Sequence, residues 1–411
     1  MPVVSGRAVS ITGLGAICAA GDRPSTIHDA LCSGQSALAP SALLAADITG
    51  HHQVAEVRDF KPQWYLGNRP VGPLDRTGRL AAVGVELALA DAGWTLERRK
   101  AQPVGLVLGT MFCSVRTIGE FDRRAQHAGP EYASPLDFSN TVLNAAAGQV
   151  GIWHHLRGVN STISAGSVSG AHAIGYAADL IRRGRADAVI AGGVEELCFE
   201  SFHGFRRAGW LAGSDNGAVG CSVPFDVRRS GVAVGEGAAF LVLEADDIAQ
   251  ARGAKILGRI DGFAAGYDPR REAERHDGAN ALSDVIRRVM KEAGAQITEV
   301  GFVMSSASGS PVLDGREATG IGGALGTSTP VTAVKSTVGE ALGASGALQA
   351  IAAIESLRTG RVPGIAGLEQ PDPAIEVSLL RPGVQATSAR RALVTAIARE
   401  GNCCALAISV A

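Results

Sequence analysis

No histidine follows His276 in this 411-residue chain; all nine lie at or before it. Any chemistry that needs an imidazole from the C-terminal part is therefore excluded. Charge of one sign is also missing. The formal net charge is −2, so no basic face for nucleic acid is implied. The seven cysteines, Cys18, Cys32, Cys113, Cys198, Cys221, Cys403 and Cys404, show no C-x-x-C spacing. That argues against a metal site or a disulfide framework and for buried, reduced thiols in a cytoplasmic protein. No apolar run reaches membrane-spanning length. The N-terminus lacks a basic region followed by a long apolar core, so no signal peptide is expected. No internal repeat is evident. What is present is small and apolar: 46% hydrophobic residues and 53 glycines, the composition of a compact globular protein with a large core.

One stretch organises the rest. Asn160 to Glu196 reads N-S-T-I-S-A-G-S-V-S-G-A-H-A-I-G-Y-A-A-D-L-I-R-R-G-R-A-D-A-V-I-A-G-G-V-E-E. Gly166 to Gly170 have little bulk, so the backbone can turn sharply into a helix. Ala171 to Ile181 suits a helix buried on most sides. Arg182, Arg183 and Gly184 close it, and Ala188 to Ala191 is a strand-length apolar run. A residue on such a turn sits at a helix N-terminus, where N–H groups and the helix dipole favour negative charge. That is a place for a nucleophile and an oxyanion.

Elsewhere strands alternate with helices. Val9–Thr12, Pro103–Gly109, Gly231–Glu244, Val300–Ser308, Ala392–Ile397 and Ala405–Val410 contain strand-like runs. Asp22–Gly34 reads as a capped amphipathic helix, and the Ala/Val/Leu run ending at Gly93, Asp284–Gly294 and the end of Val331–Arg358 are helix-like. The alternation argues an α/β fold.

The central stretch, Phe60-Lys61, Leu74-Asp75-Arg76 and Ser134–Gly148 resemble the β-ketoacyl-acyl-carrier-protein synthases, the condensing enzymes of fatty-acid and type II polyketide synthesis. The resemblance covers most of the chain. It implies the thiolase fold, five layers α-β-α-β-α built from two pseudo-duplicated halves, placed here at 1–250 and 251–411. It implies no cofactor and no metal. It also implies a dimer contact at Ser134–Gly148, with Leu136 and Phe138, and an acyl tunnel near Met111, Phe112, Cys113 and Val115.

A decarboxylating condensing enzyme needs a thiolate to hold the acyl chain, two histidines for decarboxylation and an oxyanion hole. Laid on the family motifs, the cysteine falls on Ser167. The histidine of H-G-T-x-T-x-x-x-D falls on Ser306, in Ser306–Asp314. The histidine of K-S-x-x-G-H falls on Glu340, in Lys335–Gly346. The glycine-rich loop with its gating phenylalanine is matched loosely at Ala398–Cys403, with Arg399 at the phenylalanine. Lys335, Asp314 and Glu317 are retained, and Lys335 and Glu317 are expected in a buried polar network.

Three catalytic side chains exchanged together imply a chain-length-factor-like subunit. Such a chain is the degenerate partner of an intact Cys/His/His ketosynthase, served by an acyl carrier protein, in type II polyketide or aryl-polyene synthesis. Two other readings stand beside it: a Ser-dependent acyltransferase or thioesterase, and a malonyl-carrier-protein decarboxylase. The first needs a base near Ser167, since an alcohol does not ionise near neutral pH. His172, five residues on, points elsewhere on the helix. Glu340, a carboxylate in a closed pocket, is expected to pair with Arg399 or Lys335.

Overall fold

The computed structural model describes residues 6–213, 220–270 and 281–410. Its strands are β1 (Val9–Cys18), β2 (Gly105–Gly109), β3 (Asn160–Ile163), β4 (Ala188–Glu195), β5 (Gly237–Ala245), β6 (Gly258–Tyr267), β7 (Phe302–Ser305), β8 (Pro330–Ala333), β9 (Arg361–Pro363), β10 (Ser378–Leu379), β11 (Val384–Ala386), β12 (Arg391–Ile397) and β13 (Asn402–Ser409). The helices that matter below are α1 (Pro24–Ser33), α2 (Arg76–Asp91), α3 (Val115–Ala128), α4 (Pro135–Phe138), α5 (Ala145–Trp153), α6 (Ser169–Arg182), α7 (Phe199–Arg207), α8 (Ala281–Glu292), α9 (Pro311–Leu325) and α10 (Ser345–Thr359).

Eleven strands run in the order β10-β8-β7-β12-β13-β6-β1-β5-β4-β2-β3. β1 and β4 pair antiparallel with β5, and β2 lies parallel to β4 and β3. On the other side β13 is antiparallel to β6 and β12, and β7 is parallel to β12 and β8. The seam between the two sides is narrow: β1 meets β6 through Ser10–Arg259 and Ile11–Gly258. β1, β4 and β5 are buried along their whole length. That requires cover on both faces and explains their near-continuous apolar sequence.

The cover comes in layers. α2 lies against β1, β5 and α5 on one outer face; α8 lies against β6, β13 and α9 on the other. Between the two sides run α6 and α10, packed on each other. Their Ala171, Ala173, Ile174, Ala177, Ala347, Ala350, Ile351 and Ile354 join one apolar cluster with β4, β5 and β12. The result is the five-layered α-β-α-β-α thiolase fold. Small side chains let the central helices sit close to the strands of both sides.

Several local expectations shift. α6 starts at Ser169, two residues before the predicted Ala171, because Gly166 at φ 70° makes the turn and the hydroxyl of Ser169 donates to the Gly166 carbonyl at 2.6 Å. The predicted Ala188–Ala191 strand runs on to Glu195, its length set by pairing with β5. Residues 331–358, read as a loop and a helix, hold β8, a single turn at Lys335–Val338 and then α10. α1 carries no side-chain cap; Arg23 precedes it and Pro24 opens it. All seven cysteines are free, but Cys221 is partly exposed rather than buried. No helix among the described residues is long and apolar enough to cross a membrane.

Candidate active site

Ser167 sits on the turn between β3 and α6, as the sequence places it. Its hydroxyl donates to the Ile397 carbonyl at 3.4 Å, a long bond to a group that cannot act as a base. His172 meets the ring of Phe263 edge-on, 5.8 Å between centroids, away from the turn. Ser167 lines a cavity of roughly 40 Å³ of water-accessible space, together with Met111, Phe205, Trp210, Glu340, Leu342, Arg399 and Glu400. Space on that scale holds a few water molecules.

Glu340 reaches the same cavity and is buried. Lys335 Nζ donates to its Oε2 at 2.6 Å, and Leu342 N and Ser345 Oγ donate to its Oε1 at 3.0 and 2.7 Å. The five-residue separation closes because Gly339, at φ 69°, turns the chain back after the Lys335–Val338 turn. Of the two expected cations, Lys335 is the partner. Arg399 instead lays its guanidinium 4.6 Å from the centroid of Trp210 and donates to Ser310 Oγ at 3.3 Å. A cation over an indole face is held by the ring quadrupole.

Ser306 is tied down twice. Its hydroxyl donates to Glu317 Oε1 at 3.0 Å and accepts from Ile397 N at 3.1 Å. Glu317 Oε1 also accepts from Ser306 N and Thr395 Oγ1. Burial pushes the Glu317 carboxyl above its ordinary range, against the pull of these donors and of Lys335. Asp314 accepts from the backbone of Phe225, Ser308 and Gly309. Burial raises it to about 6. The structure thus brings Ser306, just after β7, Asp314 and Glu317 on α9, and Lys335 and Glu340 on the Lys335–Ser345 segment into one buried polar layer.

The tunnel candidates divide. Met111 lines the cavity, and Phe112 meets Phe205 edge-on at 6.5 Å. Cys113 does not line it: at 1% exposure it belongs to the core beneath α2, and its φ of 54° turns the chain away. Val115 opens α3. Leu136 and Phe138 stand on α4 at 84% and 60% exposure.

Four contributors were not read from the sequence as part of the site. Phe205 and Trp210 fill the chamber from α7 and the segment after it, at a sequence distance that no spacing rule signals. Glu400 faces the turn, its Oε2 2.8 Å from where a Cβ on Gly166 would stand. Glu195, the first acid of A-G-G-V-E-E, accepts from Thr110 Oγ1, Met111 N, Phe112 N and Gly343 N. It clamps the Met111 loop to the loop after Glu340. Burial pushes it to about 7 although all four donors favour its charged form.

The N-terminal domain model of the β-ketoacyl synthases matches residues 6–249, and their C-terminal domain model matches residues 257–369. The chain belongs to the β-ketoacyl synthase family. The 3-oxoacyl-[acyl-carrier-protein] synthase 2 of Vibrio harveyi is 30% identical over 383 residues, 92% of each chain. Its Vibrio cholerae namesake is 29% identical over the same length and shares. Among solved structures, the ishigamide ketosynthase/chain length factor superposes with a TM-score of 0.91 at 26% identity, covering 99% of this chain and 100% of the other. A β-ketoacyl synthase from Burkholderia phymatum STM815 does so at 0.90 and 25%, covering 98% and 100%.

Proposed function

We propose that this chain is the non-catalytic, chain-length-factor-like partner of an intact ketosynthase, serving type II polyketide or aryl-polyene synthesis. The observation that carries the reading is the occupied catalytic corner. Lys335–Glu340 occupies the catalytic corner, and Phe205, Trp210, Leu342 and Arg399 leave about 40 Å³ beside Ser167. A serine-dependent transferase is disfavoured by the Ser167 hydroxyl bonding to a carbonyl. Decarboxylation is disfavoured because neither Ser306 nor Glu340 supplies an imidazole.

The partner face follows from exposure. β3 ends the sheet with one edge unpaired. Leu136 and Phe138 on α4, Val142 and Leu143 after it, and Ile152 on α5, which packs on β3, are exposed. An open edge and exposed apolar side chains favour a partner. The test is size-exclusion chromatography of the purified chain mixed with an intact ketosynthase at micromolar concentration. Co-elution at the mass of a pair is expected; two separate species would overturn the reading. An acyl carrier protein is the second expected partner.

Phe112 then acts on product length. It stands on the loop held by Glu195 and packs on Phe205. Truncation to alanine removes a large ring and opens space. The reconstituted pair with Phe112→Ala is expected to make longer chains by mass spectrometry; an unchanged distribution would remove Phe112 from that role.

A further inference from the structure

Two carboxylates of the site take adjacent backbone amides. Leu342 N donates to Glu340 Oε1 at 3.0 Å, and Gly343 N donates to Glu195 Oε2 at 3.1 Å. Glu195 is the last residue of β4 and is 1% exposed. Its other bonds go to the loop after β2. Met111 N donates to Oε2 at 2.7 Å, and Phe112 N and Thr110 Oγ1 donate to Oε1 at 3.0 and 3.1 Å. The Thr110 hydroxyl in turn accepts from Cys113 N at 2.8 Å. Three consecutive amides, of Met111, Phe112 and Cys113, are thus fixed by one side chain, two directly and one through a hydroxyl.

The two loops press closely together. A Cβ on Gly343 would lie 2.5 Å from Thr110 Cα and 2.9 Å from Met111 N. Backbones this close need a side-chain acceptor for the N–H groups turned into the contact. Met111 and Leu342, one from each loop, line the chamber beside Ser167. Phe112 packs on Phe205, which lines it as well.

We propose that Glu195 is a positioning residue: it holds Phe112 at one fixed place against the Glu340 loop, and so sets the length at which an acyl chain is stopped. The length assignment rests on the chain-length-factor reading; the clamp itself does not. The donor set selects a carboxylate, since each oxygen accepts from two donors. The amide of Glu195→Gln must turn its NH2 toward one of these pairs. Facing Met111 N and Gly343 N, it opposes two backbone donors. Facing Phe112 N and Thr110 Oγ1, it opposes one, because the hydroxyl can rotate and accept. The second orientation wins, and it strands Phe112 N. A stranded donor shifts a local opening equilibrium by about tenfold or more.

The first arm of the test uses the isolated chain and follows single amides by hydrogen exchange. Glu195→Gln is expected to speed exchange at Phe112 by at least ~10-fold, while Leu241 and Leu243 in β5 keep their protection. Thr110→Val, a milder change, should expose Cys113 N and leave Phe112 N protected. Unchanged protection of Phe112 in Glu195→Gln, an equal loss throughout β5, or loss at Phe112 in Thr110→Val would each overturn the clamp. The second arm uses the pair reconstituted with an intact ketosynthase, its products measured by mass spectrometry. Glu195→Gln is expected to shift the distribution to longer chains, and to add nothing once Phe112 is replaced by alanine. An unchanged distribution, or an equal shift in the Phe112→Ala background, would overturn the length assignment. A wild-type chain that gives no pair removes the chain-length-factor reading, and the exchange arm still decides the clamp.

Discussion

Glu340→Ala is expected to destabilise the chain by about 3–5 kcal/mol, because it leaves the Lys335 ammonium buried without its counter-charge. Lys335 and Glu340 side chains are 4% and 8% exposed, and their contact is 2.6 Å. The carboxylate also satisfies Leu342 N and Ser345 Oγ. The alanine variant therefore orphans three donors, one of them charged. Glu340→Gln keeps the shape and an acceptor and should cost less. Ser167→Ala should stay within about 0.5 kcal/mol, since the serine contributes one long hydrogen bond. Denaturant titration of the three variants checks the order. An alanine variant that loses under about 1 kcal/mol would mean that water solvates Lys335 and that the chamber is open.

The second large effect concerns activity. The pure chain is expected to form no carbon–carbon bond from acyl- and malonyl-carrier protein, whereas a reconstituted pair with an intact ketosynthase should condense at least ~10³-fold faster. Nucleophile and acid–base groups act as a unit, and loss of one removes most of the rate. In the proposed reading all three catalytic positions differ at once. The Ser167 hydroxyl donates to a backbone carbonyl, Ser306 is fixed between Glu317 and Ile397, and Glu340 is fixed by Lys335. A radiolabelled malonyl condensation assay on the single chain and on the pair separates the outcomes. Turnover by the single chain would refute the non-catalytic assignment. A pair no faster than background would refute the partnership.

What the sequence revealed of this fold was local. The small-residue turn at Gly166–Gly170 and the buried helix behind it can be read directly, because glycine and serine at a helix start have few other uses. The Lys335–Glu340 contact was also within reach, since one short turn and Gly339 separate the two residues. The contents of the chamber were not. Phe205 and Trp210 enter from α7 and the stretch after it, and only the packed layers bring them to Ser167. The family resemblance places Cys113 with Met111, Phe112 and Val115 near the tunnel. The left-handed backbone of Cys113, which no residue type announces, turns it into the core instead. Glu195 stood in plain view within A-G-G-V-E-E, but its role depends on four donors from two remote loops.

Those loops meet where there is no room for a side chain. A Cβ on Gly193 would lie 2.0 Å from the Gly343 carbonyl oxygen, and one on Gly170 would lie 2.5 Å from the same atom. Three backbone segments, from β4, α6 and the loop after Glu340, are thus stacked at contact distance. The outline of the site is inscribed in main chain, and its reactive groups are ornaments on that outline. Mutational drift can exchange a nucleophile for a serine or an imidazole for a carboxylate one at a time, each at modest structural consequence. It cannot place even a methyl group at Gly193 without prising the layers apart. In a protein built this way the mould is fixed more tightly than the side chains that line it.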